Sequence, residues 1–297
     1  MNFSQSVKPI FSLANSKFRL FFFIAWLLLV LGSPLLLSEF FDYSLFSLLG
    51  VLGAIFANAT GAGGGVVFIP AFAELDFSEQ QAIATSFAIQ CFGMTAGSLT
   101  WWSHYKTDKT AQRSWQGFKR IIVLTSISAI LGLWLVYGFG LESPTSLHQD
   151  FSWFSLVLGI FIVVTILLNK PNYKQSQLHH ADFIVLFILG GIGGILTAWM
   201  SVGVGELLAI YLILRRFDIS MAVAAAVIVS AITIWSGIVQ HTIITFSVYW
   251  QVVIFAGPGA ILGGMMAKTL VNYLSATRLK LFFALWLLVI GAIGIKT

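Results

Sequence analysis

The chain has 297 residues, of which 58% are hydrophobic, 15% aromatic and only 9% charged, against about 25% charged residues in ordinary soluble domains. This composition excludes a soluble domain and reads as a polytopic membrane protein. The net charge of +5 would suggest anionic partners in a soluble chain, but here the basic residues sit in loops, where they report topology and imply no nucleic acid.

Met1 to Arg19 is polar, with Lys8, Lys17 and Arg19, and precedes the apolar run Leu20 to Leu37. That run is longer than the apolar part of a typical signal peptide, and Leu37-Ser-Glu-Phe-Phe lacks a small-residue cleavage site, so an anchoring first span is expected. An interrupted region follows: Leu45 to Ala57, a break, then Val66 to Ala73. Apolar segments run at about Ala82 to Trp102, Phe118 to Phe139 and Phe151 to Leu168. After the Lys170 to Asp182 linker come Phe183 to Ala198, a second break, Leu207 to Leu214, and segments at about Ile219 to Gln240, Val248 to Ala267 and Leu279 to Ile295. The expected organisation is a tail and first span over 1–43, a unit over 44–169, a cytoplasmic linker over 170–182 and a second unit over 183–297. The single cysteine, Cys91, permits no internal disulfide and reads as a small buried apolar residue.

The first break, within Asn58-Ala-Thr-Gly-Ala-Gly-Gly-Gly-Val-Val-Phe-Ile-Pro70, puts glycines where an apolar chain should be helical. Each costs a helix interior roughly 1 kcal/mol relative to alanine, and broken helix at membrane depth survives only when buried in protein or lining a cavity. The second break, within Thr197-Ala-Trp-Met-Ser-Val-Gly-Val-Gly-Glu206, keeps register with it: Gly50, Gly53, Gly63 and Gly65 correspond to Gly190, Gly193, Gly203 and Gly205 at one constant offset. Asp76, Ser78, Ala82 and Ala84 are then answered by Asp218, Ser220, Ala224 and Ala226, Trp115-Gln116 by Trp250-Gln251, and Ala129-Ile-Leu-Gly132 by Ala260-Ile-Leu-Gly263. The chain reads as a duplication, and paired glycine-interrupted segments point to the site of a secondary transporter built from repeats.

Basic residues choose between two topologies. If both interrupted regions cross the membrane and the N-terminus is inside, the 16 lysines and arginines divide evenly between the faces. If both are re-entrant hairpins, Lys8, Lys17, Arg19, Lys106, Lys109, Arg113, Lys119, Arg120, Lys170, Lys174, Arg215, Arg216, Lys268, Arg278 and Lys280 all lie inside, leaving only Lys296 outside. The positive-inside rule selects the hairpins, with Glu39, Asp42, Glu74, Asp76, Glu79, Glu142 and Asp150 outside. The leg before the first break also falls short of the about 20 residues that a span needs. Each unit is then a re-entrant helical hairpin plus three spans, and the odd number of crossings makes the expected fold an all-α inverted repeat with one extra N-terminal span.

Hairpin tips entering from opposite faces would meet near the midplane, where such folds keep their substrate. The returning legs start near Gly64 and Gly205, so unpaired N–H groups and positive dipole ends face the protein interior. This predicts an anion site in which Gly61, Gly63, Gly64, Gly65, Gly203 and Gly205 allow close approach, with Asn58, Thr60, Thr197 and Ser201 as added donors. The competing reading is that the glycines only allow tight helix packing. Thr85, Ser86, Gln90, Thr95, Ser230, Thr233, Trp235 and Ser236 are candidate lining residues, with Ser86, Gln90 and Ser230 preferred, although any such hydroxyl can instead bond its own helix. His104, His148, His179, His180 and His241 show no ligand spacing, so neither a metal nor another cofactor is expected. Glu206 is the ionisable residue placed within the hydrocarbon, on the first turn of the second returning leg. It reads either as a proton-coupling group or as a cap on its own helix.

Gly53-Ala-Ile-Phe-Ala-Asn-Ala-Thr-Gly-Ala-Gly-Gly-Gly-Val-Val-Phe-Ile-Pro70, followed by Ala82-Ile-Ala-Thr-Ser86 and Gly97, resembles the sulfite exporter TauE/SafE family, also called the 4-toluene sulfonate uptake permease family. The resemblance runs from about Phe46 onward. It implies a multi-pass transporter of the bacterial inner membrane that moves sulfite, organosulfonates or other small organic anions. The second unit departs from the family pattern, with Gly203-Val-Gly-Glu206 in place of a glycine triplet and Ile210 in place of the proline. The expected function is export of a small sulfur oxyanion across the lipid bilayer, with protons as a coupling ion. Transport of a carboxylate is the alternative. An intramembrane enzyme is disfavoured because Glu206 alone supplies no catalytic pair.

Single-cysteine labelling in a Cys91-free background checks the charge argument. Probes at positions 109 and 216 are both expected to react only from the cytoplasmic side, with the C-terminus periplasmic. A periplasmic label at position 109 would contradict the re-entrant topology.

Overall fold

The apolar segments fold as helices. The structure is a computed structural model that describes residues 24, 26–28, 32, 37–168, 177–273 and 276–295, and no strand occurs among them. Most of the expected first span, 20–37, and most of the linker, with Lys170 and Lys174, lie outside the described residues. Seven of the described helices are long and apolar enough to cross a membrane, so the chain is a multi-pass membrane protein.

In chain order the helices are α1 (Leu37–Ser44), α2 (Phe46–Thr60), α3 (Gly65–Ala73), α4 (Glu79–Thr107), α5 (Lys109–Ser114), α6 (Phe118–Phe139) and α7 (Leu147–Leu168). The second half contributes α8 (His180–Met200), α9 (Val204–Leu214), α10 (Ile219–Val239), α11 (Trp250–Tyr273) and α12 (Ala276–Gly294), and α10 runs on into a π-helical turn at Gln240–Ile244. Short polar side chains set the starts. Ser78 Oγ accepts from the Gln81 N–H while Gln81 reaches back to the Ser78 N–H, and Asp218 accepts from the Met221 N–H at 3.1 Å. Each side chain takes up a donor that the first helical turn leaves open.

Both interrupted pairs fold back on themselves. At the open end of α2–α3 the rings of Phe46 and Phe72 lie 6.4 Å apart, and nearer the tip Gly53 faces Phe68. At the open end of α8–α9, Asp182 accepts from Arg215 Nε at 2.7 Å, from Arg215 Nη2 at 3.0 Å and from Tyr211 Oη at 2.5 Å. The length argument does not carry over to either hairpin: with the end of α1 the first leg forms a 20-residue apolar stretch, Phe41–Thr60. Asp182 caps His179 N–H at 2.7 Å and starts α8 three residues earlier than the apolar run, which gives the leg 21 residues.

The central pair, α4 and α10, is antiparallel. Ser98 Oγ donates to the Val227 carbonyl, Trp235 Nε1 to Thr95 Oγ1, and Phe87 meets His241, so partners descend along α4 as they ascend along α10. Around this pair the packing obeys an exchange of the two halves: α2 lies on α11 as α8 lies on α6, α4 touches α11 as α10 touches α6, and α7 pairs with α12. The exchange holds at single residues. Gly50 abuts the Ala256 backbone as its counterpart Gly190 abuts Thr125, and Gly263 abuts the Val51 backbone as its counterpart Gly132 abuts Gly191. Small residues let membrane helices approach this closely, so many glycines are spent on packing as well as on the breaks.

The two hairpins open at opposite ends of the bundle. The first opens beside Phe77 and Tyr249, whose rings meet near the start of α4. The second opens near the end of α4, where Leu178, just before α8, lies against Gly117, just after α5. The basic loops around Lys109 and Arg216 therefore occupy the same end.

A Cβ on Gly132 would press into the Gly191 backbone, whereas one on Gly138 of the same helix meets nothing within 4 Å. Gly132→Ala is expected to destabilise the fold by about 1–3 kcal/mol, and Gly138→Ala to be neutral or to stabilise by up to about 1 kcal/mol. Thermal unfolding in detergent checks this, and equal midpoints would contradict the close α6–α8 contact.

Candidate functional site

The two breaks end their first legs in the same way. Gly61 (φ 84°, ψ 2°) and its repeat counterpart Ser201 (φ 61°, ψ 14°) both adopt the left-handed conformation that closes many helices. Their N–H groups donate to the Ala57 and Thr197 carbonyls at 3.0 and 2.8 Å. At the second tip Gly203, with φ 146° and ψ −59°, sits where a side chain would be strained. The returning legs α3 and α9 begin at Gly65 and Val204.

These tips touch. Gly65 faces the Ser201 carbonyl and Val202, and Gly205 faces the Gly61 carbonyl and Ser230 Oγ. The N–H groups freed at the breaks are satisfied by side chains, one of them across the contact. Gly63 N–H donates to Glu206 Oε1 at 2.6 Å, Gly203 N–H to Glu206 Oε2 at 2.8 Å, and Gly64 N–H to Gln90 Oε1 at 2.8 Å. Gln90 Nε2 in turn donates to Ser201 Oγ at 2.8 Å, to the Ser201 carbonyl at 3.2 Å and to Ser86 Oγ at 3.0 Å, and Ser201 Oγ donates to Ser86 Oγ at 2.9 Å. Thr197 Oγ1 accepts from the Val204 N–H at 3.2 Å while donating to the Gly193 carbonyl at 2.7 Å.

The seam is lined by Gly63, Gln90, Thr197, the segment Ser201 to Glu206, Ser230 and Ile234, and has no room for a water molecule. Glu206 is 2% exposed and Ser230 3%. Ser230 Oγ has no hydrogen-bond partner, a cost of roughly 1–3 kcal/mol for a buried polar group. None of the lining residues is basic, so the electrostatics of the seam come from N–H groups and two helix N-termini on one side and the Glu206 carboxylate on the other. Among the described residues no group of three histidine, cysteine, aspartate or glutamate side chains converges to hold a metal ion.

Most residues singled out in the sequence come together here: Gly61, Gly63, Gly64, Gly65, Ser86, Gln90, Thr197, Ser201, Gly203, Gly205, Glu206 and Ser230. Asn58 and Thr60 do not. Asn58 Nδ2 donates to the Ala54 and Gly93 carbonyls at 2.8 and 3.2 Å, and Thr60 Oγ1 donates to the Phe56 carbonyl while accepting from the Ala62 N–H. Thr85, Thr95, Thr233 and Ser236 also bond elsewhere, to Tyr249, Cys91 and Trp235, Val229, and Trp134 respectively. Gly64 gives close approach to protein groups. Its backbone is ordinary helix at φ −64° and ψ −20°, and what it supplies is space, because a Cβ would lie 2.8 Å from the Phe68 ring and 2.9 Å from Gln90 Cγ. The apolar liners Val202, Val204 and Ile234 carried no signal in the sequence, where nothing sets them apart from core residues.

The profile of the family described as sulfite exporter TauE/SafE matches residues 46–293, a stretch that holds both hairpins and every helix named above except α1. The chain belongs to that family. Membership places it among membrane transporters of sulfite- and sulfonate-type anions. No curated protein and no solved structure matches the chain.

Replacing Gln90 by leucine strips the Gly64 N–H of its acceptor and the Ser201 carbonyl and hydroxyl of a donor. Gln90→Leu is expected to destabilise the protein by about 1–3 kcal/mol, measured as a lower unfolding temperature in detergent. An unchanged midpoint would mean that the tips are held together by other contacts.

Proposed function

We propose that this protein is a secondary transporter that exports a small sulfur oxyanion, sulfite or an organosulfonate, which binds where the two hairpin tips meet. The observation that carries the reading is the convergence of two helix N-termini, with the N–H groups of Gly63, Gly64 and Gly203, on a buried seam inside the family's own segment. Helix N-termini bind oxyanions without help from cations. Neutral donors also hold an anion loosely enough to release it, as transport requires.

In this reading the two units sit in the membrane as an inverted repeat, with re-entrant hairpins entering from opposite faces of the bacterial inner membrane. The N-terminus is cytoplasmic and the C-terminus periplasmic. The antiparallel α4–α10 pair and the residue-by-residue exchange of contacts support this arrangement. A nearly symmetric packing can be rearranged into its mirror in function, opening the seam first to one face and then to the other. Glu206 is the proton-coupling residue: ionised, it repels an arriving anion, and protonated, it donates a hydrogen bond to one.

A second reading, transport of a carboxylate, is favoured by one observation: the group that engages the tip donors is itself a carboxylate. Binding of sulfite, methanesulfonate and acetate to the purified protein separates the two. Saturable binding of the sulfur oxyanions at least ten-fold tighter than acetate is expected, and the reverse order would replace the first reading with the second. Methanesulfonate stays ionised across the working range, so its pH profile reports the protein. Wild-type affinity is expected to fall as pH rises and Glu206 ionises, and Glu206→Gln to give a flat profile. An unchanged profile in that variant would make Glu206 a cap only.

A further inference from the structure

We infer that Glu206 occupies the anion seat itself, so that substrate binding is an exchange in which the arriving oxyanion displaces the protein's own carboxylate from the tip donors. The inference rests on the reading of the tips as the anion site and adds what fills that site when substrate is absent. A glutamate that only capped its helix would bond within the first turn of α9, as Oε2 does with the Gly203 N–H. Oε1 instead accepts from Gly63 on the other hairpin at 2.6 Å, so the one carboxylate ties together two tips that belong to different repeat units. Side chains in a helical first turn lean toward the N-terminus, which aims Glu206 out of α9 and into the contact.

The surroundings fit a seat better than a structural ion pair. The elements around the carboxylate present Gly63 from the first tip, Gln90 from α4, Thr197 and Ser201 from α8 and its cap, and Ser230 and Ile234 from α10. None of these is basic or titratable, so no counter-charge holds Glu206 there. Beside it, Ser230 Oγ is buried and unpartnered, with its hydroxyl in contact with the tip at Gly205. A larger oxyanion with a third oxygen would engage this hydroxyl, which a carboxylate leaves unused. An occupant must offer two oxygens on one central atom to bridge the donors of both tips, as carboxylates, sulfite and sulfonates do and a halide does not.

Emptying the seat tests this. In purified full-length Glu206→Ala, formate and methanesulfonate are expected to raise the unfolding temperature saturably, with half-saturating concentrations at least ten-fold below those of the wild type at neutral pH, and chloride is expected to have no such effect. Identical concentration dependence in wild type and variant would overturn the inference, as would rescue by chloride equal to that by formate. If Glu206→Ala does not fold, Glu206→Gln serves: its amide cannot accept from both N–H groups, so anion affinity is again expected to rise at least ten-fold, and unchanged affinity overturns the proposal. If formate rescues the variant while neither protein binds sulfite or methanesulfonate, the seat stands and the sulfur-oxyanion reading falls.

Discussion

Two broken helices end in the middle of an apolar protein, and every N–H group freed there needs a partner, since water is excluded. The rest of the structure depends on how that need is met. Glu206 and Gln90 meet most of it, one from the second tip and one from α4, and both reach across a boundary between elements to do so. The donors are thus satisfied by side chains and not by neighbouring backbone, which is what the proposed exchange requires. A leucine-lined tip would have left the groups unpaired at several kcal/mol each, and an arginine would have held an arriving anion too firmly to release it.

The remaining architecture holds the two tips in register. The α4–α10 pair carries Gln90 and Ser230 to either side of the seam, and the glycine-mediated contacts of α2 on α11 and of α8 on α6 fix where each first leg stops. Closure at the outer ends differs between the hairpins. The first is closed by the tilted rings of Phe46 and Phe72 and the second by the Asp182–Arg215 ion pair. The two closures therefore respond differently to salt, since screening weakens a partly exposed ion pair and leaves ring packing untouched.

Much of this was legible in the sequence. Glycine spacing located both helix breaks, and most of the residues proposed for the site do meet at the tips. What escaped has physical reasons. Asn58 and Thr60 stand beside the first break, but Asn58 turns to the Ala54 and Gly93 carbonyls and Thr60 to the Phe56 carbonyl, and a pattern of residue types does not report which way a side chain faces. Gly64 was expected to make room for an anion and instead makes room for Gln90, a contact 26 residues away in sequence. The dual bond of Glu206 was equally hidden, because its partner Gly63 lies in the other half of the chain and only the folded structure brings them together. The length of α8 misled for a local reason, the cap formed by Asp182.

The central claim is that one seat, formed by the N–H groups of Gly63 and Gly203, is held in turn by Glu206 and by the transported oxyanion. The most direct measurement is anomalous diffraction from crystals of the full chain soaked in selenite, a heavier analogue of sulfite. The account predicts a selenium peak between the tips, with oxygens within hydrogen-bonding distance of the Gly63 and Gly203 N–H groups and of Ser230 Oγ, and the Glu206 side chain turned away. A selenium site elsewhere, with Glu206 still bonded to both tips, would contradict it.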